Sequence, residues 1–307
     1  MTSPRLLIPL LMAAAMAVGQ TPSPPASAQG SNPQAVSQSA QQQAPPQSSN
    51  ANARGKRPPS AKTKKEYDQY LAVANAPDAA TSEKLAREFE VQFPESELLS
   101  AVFQQVMGKY QKADNGDKTL DMGRKVLHYD PDNCVALMMN AMVLTERTQE
   151  SDIDRDERLN EAKADAQRAL DNISSGNFPV PPGFTPEQVQ EFKDQINGMA
   201  YTALGTAELL RKNDSAAEQN LRKATEGPVG KGDPIVWYRL ALALDHQKKY
   251  SEANGAITIA VAVAPAGSAV ANMAKNEQSR LRQLAAGGTA SDSTPKDRPE
   301  PEPVQPK

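Results

Sequence analysis

Between residues 64 and 286, apolar residues return at every third or fourth position and polar residues fill the gaps. That period gathers apolar side chains on one face of an α-helix. Alternation with a period of two, the mark of a half-buried strand, never lasts more than a few residues. The run "AITIAVAVA" would pass for a strand if taken alone. Its large residues nevertheless keep helical positions within a longer alanine-rich segment.

The clearest unit is "VWYRLALALDHQKKYSEANGAITIAVAVAP", residues 236–265. Trp237, Leu240, Ala241 and Leu244 fall on one face of a first helix, and "DHQKKYSEA" supplies a turn. Ala253, Ile257 and Ala260 mark one face of a second helix. Pro265 ends it, because proline cannot donate the next helical hydrogen bond and its ring clashes with the preceding turn. Small side chains let the two backbones approach and large ones lock them, so the spacing predicts an antiparallel hairpin with Trp237 between its helices.

The pattern recurs. Tyr201, Leu204 and Gly205 lead to Ala217, Leu221, Ala224 and Pro228, with Glu208 where a large apolar residue is expected. Phe103, Val106 and Tyr110 lead to Thr119, Val126 and Pro131, with Met107 at a small position and Gly123 at a large one. In all three copies the aromatic residue stands 16 residues before the residue that opens the second face. A fourth copy is split: Leu137, Ala141 and Leu144 precede Ala162, Ala166 and Ala169, with about nine extra residues around "TQESDIDRDER". A degenerate hairpin, "EYDQYLAVANA" then "TSEKLAREFEVQFPES", leads the array.

This order of residues resembles the tetratricopeptide repeat family, in which Trp, Leu, Gly and Tyr of a first helix precede Ala, Phe, Ala and Pro of a second. The resemblance implies an all-α fold: a right-handed superhelical array of about five hairpins, one with an insert, over residues 64–286. A capping helix would close it. In "SAVANMAKNEQSRLRQLAA", Val270, Met273, Leu281 and Leu284 are expected to face inward, with Lys275, Glu277, Gln278, Arg280 and Arg282 facing water. The connection "SSGNFPVPPGFTPEQ" opens a long helix at Thr185-Pro186-Glu187-Gln188. Its Phe178, Val180 and Phe184 would either cover the end of a hairpin or present a binding edge.

The flanks differ in composition. One basic residue, Arg5, precedes an apolar run at 6–18, too short to span a membrane and suited to a secretory signal. Residues 1–28 read as that signal, with cleavage after 19 or 28. Residues 29–63, rich in Gln, Ser, Pro and Ala, and residues 287–307, rich in Pro, bury little and are expected to stay disordered. The mature chain is expected to be exported without a transmembrane segment, to the periplasm if the source is a diderm bacterium. Residues 1–62 hold Arg5, Arg54, Lys56, Arg57 and Lys62 and no acid; the whole chain is −3, so the remainder carries −8. A net acidic body argues against a nucleic-acid partner.

Candidate chemistry is sparse. Asp152, Asp154 and Asp156 open like a calcium loop, but Glu157 stands where glycine is needed and Lys163 where a bidentate Glu is needed. His128 and His246 lie in different hairpins, and Cys134 sits in an apolar helical pattern. Asn172 and Asn213 match glycosylation sequons. No catalytic, cofactor or metal site is expected. The resemblance instead implies a concave groove lined by first helices, here Gln104, Gly108, Met138, Met142, Thr202, Thr206, Tyr238, Leu242, Asp245 and His246. These positions lack the Lys/Asn clamp with which some members grip a peptide carboxylate. The implied role is a non-enzymatic scaffold for a protein or peptide partner in the cell envelope; the alternative is an accessory subunit of an envelope enzyme or assembly complex.

Overall fold

A computed structural model describes residues 59–178, 180 and 184–285 of the 307-residue chain. The expected signal segment at 1–28, most of the expected linker and the Pro-rich C-terminal segment lie outside the described residues. Those described form twelve helices and no strand: α1 (Lys64–Asn75), α2 (Ala79–Gln92), α3 (Leu99–Lys112), α4 (Gly116–Tyr129), α5 (Cys134–Arg147), α6 (Arg155–Ser175), α7 (Pro186–Leu210), α8 (Asp214–Glu226), α9 (Pro228–Gly232), α10 (Pro234–His246), α11 (Tyr250–Val263) and α12 (Ala269–Ala285). The described residues divide into two compact units, those within 59–143 and 168–193, and those within 144–167 and 194–285.

The repeat is written in the turns. Asp114, Lys212 and Lys248 each take a left-handed φ, of 55°, 63° and 61°. Each lies four residues after the last core position of its first helix, Tyr110, Glu208 and Leu244. The next amide then donates back to the carbonyl of that position: Asn115 to Tyr110 at 3.0 Å, Asn213 to Glu208 at 2.9 Å and Lys249 to Leu244 at 2.9 Å. A non-glycine residue in this region costs ~1–2 kcal/mol, so three recurrences mark one tightly specified turn. The leading hairpin departs because Pro77 occupies the corresponding position and its ring forbids a positive φ. There Asp78 caps α2 instead, accepting from the Thr81 amide at 2.8 Å.

In the first unit, α1 starts on a capping box. The Thr63 side chain accepts from the Glu66 amide at 3.1 Å, and the Glu66 carboxylate accepts from the Thr63 amide at 3.3 Å. Val73, Ala86, Phe89, Val102, Phe103, Val106 and Met107 are fully buried. Gly123 stands where other copies carry a large residue because Asn140 fills its place: an added Cβ would lie 1.9 Å from Asn140 Oδ1. Successive second helices are laced by charge. Glu83 of α2 accepts from Tyr110 Oη at 2.5 Å and from Lys118 Nζ at 3.2 Å. Seven residues on, Glu90 accepts from Lys125 and Tyr129. Burial alone would raise the Glu83 carboxyl; bonds from Tyr110, Arg87 and Lys118 outweigh it and hold it at about 2, below its ordinary 4.5. Glu90 is lowered as well, its burial outweighed by Lys125 and Tyr129.

In the second unit, Gly205 of α7 permits the closest approach. A Cβ there would stand 2.5 Å from Leu221 Cγ on α8. Glu208, the apparent misfit, is buried and paired with Lys163 of α6 and with Asn213 Nδ2, the latter at 3.0 Å. Pro228, expected to end a helix, also opens the short α9, where its missing N–H is no loss. Around α10 and α11 the core holds Ala217, Leu221, Val236, Leu240, Ala241, Leu244, Ala253, Ile257 and Ala260.

Two expectations are corrected here. Trp237 is only half-buried against this core, and its Nε1 donates to the exposed Lys231 carbonyl at 3.1 Å; Val236 takes the interior place beside it. On α12 the docking face is Ala271, Ala274 and Leu281. Met273 is 46% exposed, and Val270 and Leu284 are half-buried, because the helix seats its alanines and so approaches closely. The described residues thus form an all-α array of tetratricopeptide-like hairpins with a final helix packed on the last.

Removing the ammonium that Glu208 faces, Lys163→Met, should destabilise the protein by roughly 1–3 kcal/mol. That is below the ~3–5 kcal/mol of a fully buried pair, because Lys163 is 38% exposed. Adding Glu208→Leu, the residue type of Leu244, should restore most of the loss in thermal unfolding; a double variant as weak as the single one refutes the pairing. In acid, carboxylates held below their ordinary range stabilise fully above about 4.5, and that stabilisation is lost as the pH falls toward about 2. The melting temperature should drop through this window, and Glu83→Gln should lower it at neutral pH and flatten the acid limb. An acid limb unchanged by Glu83→Gln counts against this account.

Candidate functional site

The ten residues expected to line a groove separate by exposure. In the first unit Gln104 is buried, and its Oε1 accepts from Asn133 Nδ2 at 3.0 Å. Asn133 in turn accepts from the Ala136 amide at 3.0 Å, so Gln104 fixes the start of α5. Gly108 and Met138 are fully enclosed, and Met142 is half-buried. In the second unit the two threonines bond within their own helix: Thr202 Oγ1 donates to the Gly198 carbonyl at 2.8 Å and Thr206 Oγ1 to that of Thr202 at 2.7 Å. Thr206 is also buried. Gln104, Gly108, Met138 and Thr206 are therefore packing residues, with no surface to offer a ligand.

The surface that remains is concentrated on α10. Asp233 caps this helix, accepting from the Ile235 amide at 2.8 Å, and Pro234 fills its first turn. Tyr238 and Leu242, one turn apart, are both half-buried. Asp245 and His246 are engaged at the far end. Asp245 accepts from Arg280 of α12, and His246 Nδ1 lies 2.8 Å from Asp214 Oδ1.

Between Tyr238 and Leu242 stands Arg239, which periodicity passes over because a charged residue beside a core face reads as solvated. It is half-buried, and no hydrogen bond or ion pair holds it among the described residues. Loss of water pushes its pKa down, while the charges of Glu146 and Asp233 push it up. The equivalent positions in three earlier copies are Gln105, Met139 and Ala203, all neutral, the last two buried. The signal available in the sequence is this departure: one copy of four places a cation where the repeat has none.

Other features resolve into packing. Phe178 is 3% exposed and its ring packs tilted against Phe192 of α7 at 5.5 Å between centroids, so it is a packing residue; Val180 and Phe184 are half-buried. Asn172 is buried and donates to the Asp132 carbonyl at 3.0 Å, which removes it as a sugar acceptor in the folded chain. Asp152 turns back to accept from the Gln149 amide at 2.8 Å. A shallow depression of about 560 Å³ along α2, among Glu83, Arg87 and Val91, is the solvent face of a single helix and lies apart from these candidates.

No family model and no curated protein matches the chain. Among solved structures, it is similar to the MamA protein at 17% identity, over 61% of this chain and 86% of that one, with a TM-score of 0.39. It is similar to a thermophilic TPR protein of Thermus thermophilus at 13% identity, over 69% and 98% of the two chains, with a TM-score of 0.42. The pilF protein of Pseudomonas aeruginosa is similar at 13% identity, over 74% and 96%, with a TM-score of 0.46.

Proposed function

We propose that the chain is a non-catalytic interaction scaffold that binds a protein or peptide through the face of α10. The observation that carries this reading is the strip Tyr238, Arg239 and Leu242. It joins an aromatic ring, an aliphatic side chain and a guanidinium without a hydrogen-bond or ion-pair partner among the described residues, on the first helix of the last hairpin. An amphipathic aromatic beside an apolar side chain is the composition of an interface anchor. The chain would act by presenting this surface, without chemistry of its own. The apolar run at 6–18 after Arg5 supports export, and the site of action would then be the cell envelope.

Partners isolated on the full-length protein from its native envelope should bind the Tyr238→Ala, Leu242→Ala double variant at least tenfold more weakly, about 1.4 kcal/mol. Gln219→Ala, on the exposed side of α8, should bind as wild type does. Equal affinity for all three proteins places binding elsewhere. Export is checked separately: mature protein from the host should begin near Gln20 or Gln29, whereas intact Met1 on cytoplasmic protein defeats that part of the reading.

A further inference from the structure

Four of the five second helices turn a charged face to water. Arg87 and Glu88 are exposed on α2, Asp121 and Arg124 on α4, Asp156 and Glu157 on α6, and Arg222 and Lys223 on α8. On α11 the charge stops at Glu252, and residues 253–274 carry none. Its outer face is instead Gly255, Ile259, Ala262 and Val263, all exposed and aligned by the helical period. Gly255 answers no need of the fold. It is helical, and a Cβ built on it would meet nothing within 4 Å. Glycine weakens a helix interior, but it lets a second backbone come close from outside.

A row of cations borders this face. Gln278 Nε2 of α12 donates to Thr258 Oγ1 of α11 at 2.9 Å, which sets that edge of α12 beside the strip. Lys275 and Arg282 share the edge, three residues before Gln278 and four after it. Both are exposed, and neither side chain has a hydrogen bond or ion pair among the described residues. Along the helix they stand roughly 10 Å apart.

We propose that the outer face of α11, with this row, docks an acidic amphipathic helix of a partner protein. The aliphatic side of that helix lies over Gly255 and Ile259, and its carboxylates, two turns apart, meet Lys275 and Arg282. Charge selects this occupant. A second copy of the chain would bring the same two cations to the strip, and like charges oppose it. An anionic membrane would satisfy the cations, but Ile259 and Val263, each 37% exposed, leave little to insert. The face is distinct from that of α10, so either reading can fail alone.

The test offers the full-length protein a displayed library of helical peptides of about five turns. They are apolar along one side and vary among Glu, Lys and Ser at the flanking positions. Enriched peptides should carry carboxylates seven residues apart. They should bind Ile259→Asp, and the double variant Lys275→Glu, Arg282→Glu, at least tenfold more weakly than wild type. Exchanging their Glu for Lys should restore binding to the double variant. Gly255→Leu separates binding from folding: it should melt at a higher temperature than wild type yet bind at least tenfold more weakly. No enrichment, enrichment without acids, or binding unchanged in these variants overturns the proposal. So does self-association, or capture by phosphatidylglycerol vesicles, that Ile259→Asp abolishes while no acidic peptide binds there.

Discussion

The distance of closest approach between the two helices of a hairpin governs the rest of this structure. It is visible at Gly205, where a single added carbon would stand 2.5 Å from Leu221. Ala241 plays the same part opposite Ile257 in the last hairpin, both fully buried. Packing this close leaves no slack for the connection. The left-handed residues at Asp114, Lys212 and Lys248 follow from that geometry, since the chain must reverse in very few residues and hand its next amide back to the helix it has left. The unfavourable φ persists because the packed helices over-determine it.

Between hairpins a second constraint operates. Second helices meet along polar faces, and the array uses long charged side chains rather than apolar ones to join them. In the first unit Glu83 and Glu90 repeat at an interval of seven and meet Lys118 and Lys125 at the same interval. In the second unit Glu218 gathers Lys249 at 2.7 Å and Gln247 at 2.9 Å, while Arg222 reaches Glu252 at 2.5 Å. Exposed pairs of this kind contribute little singly. The carboxylates at their centre are less exposed, Glu83 at 11% and Glu218 at 12%, and a tyrosine hydroxyl adds to the shell of Glu83.

The helices and their order are legible in the sequence because a 3.6-residue period and prolines at 94, 131, 228 and 265 are properties of each segment alone. What lies across a helix is less legible. Spacing puts Trp237 inside the hairpin, yet Val236 takes the interior and leaves the indole at the edge. Size puts Met273 inward, whereas α12 docks on Ala271 and Ala274. The groove positions fail for a related reason. Periodicity assigns Gln104 and Met138 to a face, but only the neighbouring helix decides whether that face is open, and Asn133 closes it over Gln104.

Departures from the repeat pattern therefore sort by whether the structure answers them. Gly123 is answered in volume by Asn140, which fills the space although neither of its polar side-chain atoms finds a partner among the described residues. Glu208 is answered in charge by Lys163 and in hydrogen bonding by Asn213. Arg239 is answered by neither. The carboxylates whose charge reaches it are committed to a cap or act at a distance, and its equivalents elsewhere are uncharged. Among the described residues no hydrogen bond or ion pair offsets the desolvation of this cation. The packing of the hairpins among the described residues gives no reason for this departure, and it sets α10 apart from the earlier first helices.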